Sequence, residues 1–166
     1  MIEALGSLGF KYGGDTGSES KAYTDIKEKK IFIKKNKTDS EALLSLVYEL
    51  TNASNTPKLE TVYKNYLQEE SSPDIIKATK YAHEILHIEA YAVYTRSCTA
   101  IHLHLESSVK NPKYLEITRL HKDDQEKAVE ALYLEMIENG TVHNGKKKAV
   151  DHYIEQYFQQ TTSKIT

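Results

Sequence analysis

The stretch Thr38-Asp39-Ser40-Glu41-Ala42-Leu43-Leu44-Ser45-Leu46-Val47-Tyr48-Glu49-Leu50-Thr51-Asn52-Ala53 decides how this chain is read. Leu43, Leu46, Val47 and Leu50 recur at spacings of three and four, the period of a helix with one buried face. Thr38 or Asp39 stands at the cap, and Glu41 is placed to reach back to Thr38 in a capping box. The spacing predicts an amphipathic helix over 40–54, stopped by Asn55-Thr56-Pro57.

Upstream, Ala22–Ile26 and Lys30–Lys35 alternate around Lys27-Glu28-Lys29, with Ile31 and Ile33 on one face and Phe32 opposite. That period of two predicts a short β-hairpin over 22–35. Residues 6–20 hold five of the seven glycines, but Gly13-Gly14 lacks the glycine-lysine pattern of a phosphate loop. Segment 1–20 is expected to be flexible.

Downstream, a second helix is expected over 58–68. Ser72-Pro73 then opens a long one over 73–105, whose buried stripe is Ala78, Ala82, Ile85, Leu86, Ala92 and Val93. Asn111-Pro112 breaks the chain, and Ala128, Val129, Leu132, Met136 and Ile137 mark a helix over 114–138. Asn139-Gly140 ends it, His143-Asn144-Gly145 turns, and a last helix over 147–160 packs through Val150, Tyr153, Ile154, Tyr157 and Phe158. The expected fold is α+β and mostly helical, a short N-terminal hairpin followed by about five helices. Residues 1–166 form a single domain with its helical body over 38–160.

Composition narrows the function classes. Hydrophobic residues make up 39% and charged residues 28% of 166, a globular balance that argues against disorder. The net charge of −2 supplies no overall field for nucleic acid or an anionic membrane, so the expected partner is a protein or peptide. Cys98 is the one cysteine and cannot close an internal disulfide. Met1–Phe10 lacks a basic region and a sustained apolar run, and no stretch approaches the roughly 18 apolar residues of a spanning helix. A cytoplasmic protein, or one delivered by a signal-peptide-independent secretion system, is expected. Oligomeric state is left open.

One motif could carry chemistry. His83-Glu84-Ile85-Leu86-His87 fits H-E-x-x-H on a predicted helix, where the i, i+4 spacing sets both imidazoles on one face to share a zinc ion. Glu84 would be the general base for a zinc-bound water. Glu106 is the candidate third ligand, with His102 and His104 as alternatives, 15 to 19 residues past His87. All three follow on from the same predicted helix, where a rise of about 1.5 Å per residue carries them over 20 Å away unless the chain folds back. The pattern is read as a zinc-dependent hydrolase, most readily a peptidase. The rival is a chance match on a solvated helix face of a non-catalytic protein-binding domain.

A second constellation comes with a resemblance. Ile31-Phe32-Ile33 leads into Leu46-Val47-Tyr48-Glu49-Leu50-Thr51-Asn52-Ala53, and the later helix reads Ile88-Glu89-Ala90-Tyr91-Ala92. Over about residues 30–95 this order resembles a degenerate form of the zincin-like metallopeptidase domains of bacterial toxins and effectors. In those, a strand leads into a helix carrying H-E-L-x-H-A, and a later helix supplies a glutamate. The resemblance implies Glu49 as general base and Glu89 as third ligand, with Tyr48 and Asn52 where the family has zinc-binding histidines. Tyr and Asn are poor zinc ligands beside imidazole, so it implies a binding domain as readily as an enzyme. A metal-free site built on Glu49 and Glu89 is a third reading.

Glu89 is informative on physical grounds too. It falls within the apolar stripe of Ile85, Leu86, Ala92 and Val93, so it should be partly buried and in need of a partner: a metal, Asn52, Tyr48 or a lysine. Ile101-His102-Leu103-His104-Leu105 alternates like a strand or ends the long helix, and His102 lies one turn beyond Cys98. Lys146-Lys147-Lys148 is expected to be a solvated run. The tyrosines are expected to pack at the core or its rim, hydroxyl outward.

Overall fold

Thr38 opens the helical body in the way its spacing to Glu41 predicts. In the computed structural model, which describes residues 9–16, 22–25, 27–34, 38–67, 74–142 and 145–162, helix α1 spans Asp39–Ser54. The Glu41 N–H donates to Thr38 Oγ1 at 3.2 Å, and the Thr38 N–H donates to Glu41 Oε2 at 3.1 Å. Two amides that no helical carbonyl can reach are thereby satisfied. Leu44, Val47, Leu50 and Ala53 are buried, whereas Leu43 is 39% exposed, so the apolar face is centred on Leu44. Asn55 then serves both neighbours: its N–H donates to Thr51 O at 3.0 Å, and its carbonyl accepts from the Leu59 N–H at 3.1 Å. Helix α2 (Thr56–Leu67) therefore starts at once, with Pro57 in its first turn, where a missing N–H costs nothing.

Helix α3 (Ile75–His102) runs 28 residues, about 42 Å at the usual rise, and every other helix packs against it. Asp74 caps it by accepting from the Lys77 N–H at 2.9 Å; Ser72-Pro73, the expected start, lies outside the described residues. The expected stripe of Ala78, Ala82, Ile85, Leu86, Ala92 and Val93 is buried throughout. The helix ends in a Schellman motif. Leu105 N–H donates to Ala100 O at 2.8 Å and His104 N–H to Ile101 O at 3.3 Å, with His104 at φ 54°. The alternating histidines thus belong to a helix end rather than a strand.

The single helix expected over 114–138 is two: α4 (Pro112–Leu120) and α5 (Gln125–Asn139). Asp124 makes the break, because its side chain accepts the Lys127 N–H at 3.1 Å and caps α5. Strands β4 (Thr141–Val142) and β5 (Lys147–Lys148) pair antiparallel, and α6 (Ala149–Thr162) follows; His143-Asn144 lies outside the described residues. Six helices are described where about five were expected. Lys147 pairs with Glu155 of α6, so the lysine run is anchored at its centre.

The sheet has three strands in the order β1-β3-β2. Strands β2 (Ala22–Asp25) and β3 (Lys30–Ile33) form the expected antiparallel pair. Strand β1 (Lys11–Gly14) runs parallel to β3 and lies inside the segment expected to be flexible. Gly13 there has a packing role: a Cβ on it would sit 2.6 Å from the Phe32 ring, so only glycine lets that ring settle. Ile31 packs with Leu50 and Ala53, which lays the sheet on α1. Among the described residues no helix is long and apolar enough to cross a membrane.

Candidate functional site

Two periodicities meet at one cleft. On α1, Glu41, Ser45, Tyr48, Glu49 and Asn52 fall on a single stripe; on α3, Ile85, Glu89 and Arg96 do the same. With Tyr153 and Gln156 of α6 and the edge residues Ala22, Tyr23 and Thr24 of β2, they line a cleft of about 980 Å³.

Glu89 stands at its floor. The Tyr153 hydroxyl donates to Glu89 Oε1 at 2.5 Å, and Tyr48 gives the same carboxyl a second hydrogen bond. Burial pushes the Glu89 carboxyl above its usual range, and the two phenols oppose that shift without cancelling it. Burial and the charge of Glu89 raise the Tyr153 and Tyr48 hydroxyls well above 10, so both phenols stay protonated donors. Asn52 completes the row through a hydrogen bond with Tyr48, while its Oδ1 is buried and finds no partner among the described residues. Beside them Glu49, only 6% exposed, accepts from Thr24 Oγ1 at 2.7 Å, which ties the edge strand to α1.

Tyr48, Glu49, Asn52 and Glu89 therefore come together. Of the H-E-x-x-H residues, the two histidines share one face, away from this cleft, and Glu84 takes another. His83 Nδ1 lies 2.9 Å from the Tyr133 hydroxyl, His87 Nε2 lies 3.4 Å from Glu130 Oε2, and Glu84 accepts from the Tyr66 hydroxyl at 2.6 Å. Both imidazoles thus face α5, with the Tyr133 ring against each, while Glu84 faces α2. Glu106 pairs with Arg119 at 2.9 Å; His102 and His104 are exposed at the end of α3. Among the described residues no group of three or more His, Cys, Asp or Glu side chains is arranged to hold a metal ion. Cys98 and His102 border a separate shallow groove of about 620 Å³ between α3 and α4.

No family model, no curated protein and no solved structure matches this chain. The site has to be understood from its own chemistry.

Sequence reasoning missed Arg96 and Tyr153. Arg96 carried a signal, since it follows Glu89 by seven residues and so shares its face two turns on. Its guanidinium lies over the Tyr48 ring, 5.1 Å from the centroid. Tyr153 carried none, because its tie to Glu89 spans 64 positions.

Proposed function

We propose that this protein is a peptide-binding domain, a degenerate zincin-like fold that takes an extended peptide into the cleft beside β2. One observation carries this reading: Tyr48, Asn52 and Glu89, the positions where the resemblance implies metal ligands, are joined to one another by hydrogen bonds through the Tyr48 hydroxyl. Protonated phenols occupy the Glu89 carboxyl where a metal-ligand glutamate would meet its cation. The edge strand supplies the rest. Among the described residues β2 pairs only with β3, and Ala22, Tyr23 and Thr24 line the cleft. A guest strand could add to that edge through main-chain hydrogen bonds, with Glu49 and Asn52 reading its polar groups.

The test is retention of random-sequence hexapeptides by the purified protein, read by mass spectrometry, beside Asn52→Leu. Leucine there blocks the cleft floor and leaves no amide to hydrogen-bond. Intact peptides held by the native protein and lost in Asn52→Leu, with the variant still folded and unfolding cooperatively, are the expected result. Failure to retain any peptide would overturn the reading. Cleaved peptides would favour a hydrolase instead: a metal-free one on Glu49 and Glu89 if a chelator has no effect, a zinc-dependent one on His83, Glu84 and His87 if it stops cleavage.

A further inference from the structure

The cleft also holds a guanidinium that forms no ion pair among the described residues. Arg96 projects from α3 with its guanidinium over the Tyr48 ring, 5.1 Å from the centroid. Its Nε is buried without a hydrogen-bond partner, and no ion pair forms to it among the described residues. On its own helix Glu89 shares its face two turns earlier. That carboxyl is instead engaged by Tyr153 and Tyr48. Lys110 lines the same cleft, as do Asn111 and Tyr114, and forms no ion pair among the described residues either.

Arg96 is half-buried, and its shielded Nε carries a cost because it has lost hydration without gaining a hydrogen bond. The cost is offset when a ligand brings the missing anion. We infer that Arg96, with Lys110, forms a carboxylate-binding subsite that anchors one end of the bound peptide. This rests on the peptide-binding reading and names what that peptide must carry. Guanidinium offers a planar fork that matches a carboxylate in two parallel bonds, while Lys110 adds a point charge at the rim. Glu49 and Glu89 lie in the same cleft, so a singly charged anion is accommodated with less repulsion than a doubly charged phosphate. The carboxylate could be a peptide's C-terminus or an acidic side chain.

Three fluorescein-capped random hexapeptide pools separate these sources: one ending in a free carboxylate, one in an amide, and one in an amidated aspartate. Each is titrated by fluorescence anisotropy. The free-acid pool is expected to bind the native protein about tenfold more tightly than the amide, the size of one charge-assisted pair. Arg96→Gln should reduce that preference to roughly twofold, and Lys110→Gln should reduce it in part. If Arg96→Gln does not fold, Arg96→Lys keeps the charge without the fork and should still weaken the preference. An aspartate pool matching the free acid identifies a side-chain carboxylate as the anchor. Equal affinity of all three pools for the native protein overturns the subsite and leaves peptide binding standing. Absence of binding by every pool overturns both.

Discussion

The Tyr153 hydroxyl lies 2.5 Å from Glu89 Oε1, joining α6 to α3 at the floor of the cleft across 64 positions of sequence. The contact is part-buried and, with the Tyr81–Gln156 hydrogen bond, one of the polar ties between these helices, so its loss should register in stability as well as in binding. Tyr153→Phe keeps the ring and removes only the donor. It is expected to destabilise the fold by about 1–3 kcal/mol, the range for an unmet buried hydrogen bond. Urea unfolding with a lower midpoint at constant slope is the expected outcome. An unchanged midpoint would mean that this hydrogen bond contributes nothing to the fold.

Glu89 sets a pH dependence whose sign follows from its surroundings. Its carboxyl in the folded protein lies above the unfolded value of 4.5. The folded state therefore holds the proton more tightly, and stability present below about pH 4.5 is lost as pH rises through the raised folded value. Glu89→Gln removes that titration. Native protein should lose stability relative to the variant across the interval that begins near pH 4.5 and extends upward, measured as the difference in melting temperature. A difference independent of pH would contradict the burial of this carboxyl.

His104 closes α3 at φ 54°, a left-handed position that a side chain rarely adopts and glycine tolerates. The residue is exposed, so its imidazole is not buried against the fold. His104→Gly is expected to stabilise the protein by about 1 kcal/mol, the strain of a left-handed residue less the added freedom of the unfolded chain. A lower melting temperature would mean that the imidazole makes a contribution exceeding that strain.

The paired variant His83→Ala/His87→Ala separates the two candidate sites. It removes the His83–Tyr133 hydrogen bond and the His87–Glu130 contact, so a loss of about 1 kcal/mol is expected. Peptide affinity at the cleft should stay as it was. A zinc ion that copurifies with the native protein and disappears in the variant would return attention to the H-E-x-x-H face.

Much of the fold was legible along the chain because it is written in local chemistry. The Thr38–Glu41 capping box, the β2–β3 pair and the alanine-rich stripe of α3 each lie within a few residues or one helix face. Two departures have causes of different range, one local and one between strands. Asp124 caps a new helix in the middle of an apolar period, and Gly13, within a glycine-rich stretch that looks flexible, seats the Phe32 ring 19 positions on. At the site, Glu89 was legible as a carboxylate in an apolar stripe that needed a partner, with Tyr48 among the candidates. Tyr153 was invisible, since no period links one helix to another far along the chain.

By itself the sequence determined which residues share a helix face, where most helices start and stop, and that one buried acid required a donor. Those properties depend on neighbours three or four positions away and on the cost of burying a charge. Only the tertiary structure decided which faces meet. It turned His83 and His87 toward α5, apart from Glu84 and Glu106, and gathered Tyr48, Glu49, Asn52, Glu89, Arg96 and Tyr153 around one cleft. The rotation of a helix about its axis is set by packing against its neighbours, so a motif with the right spacing becomes a site only when the fold turns its face inward.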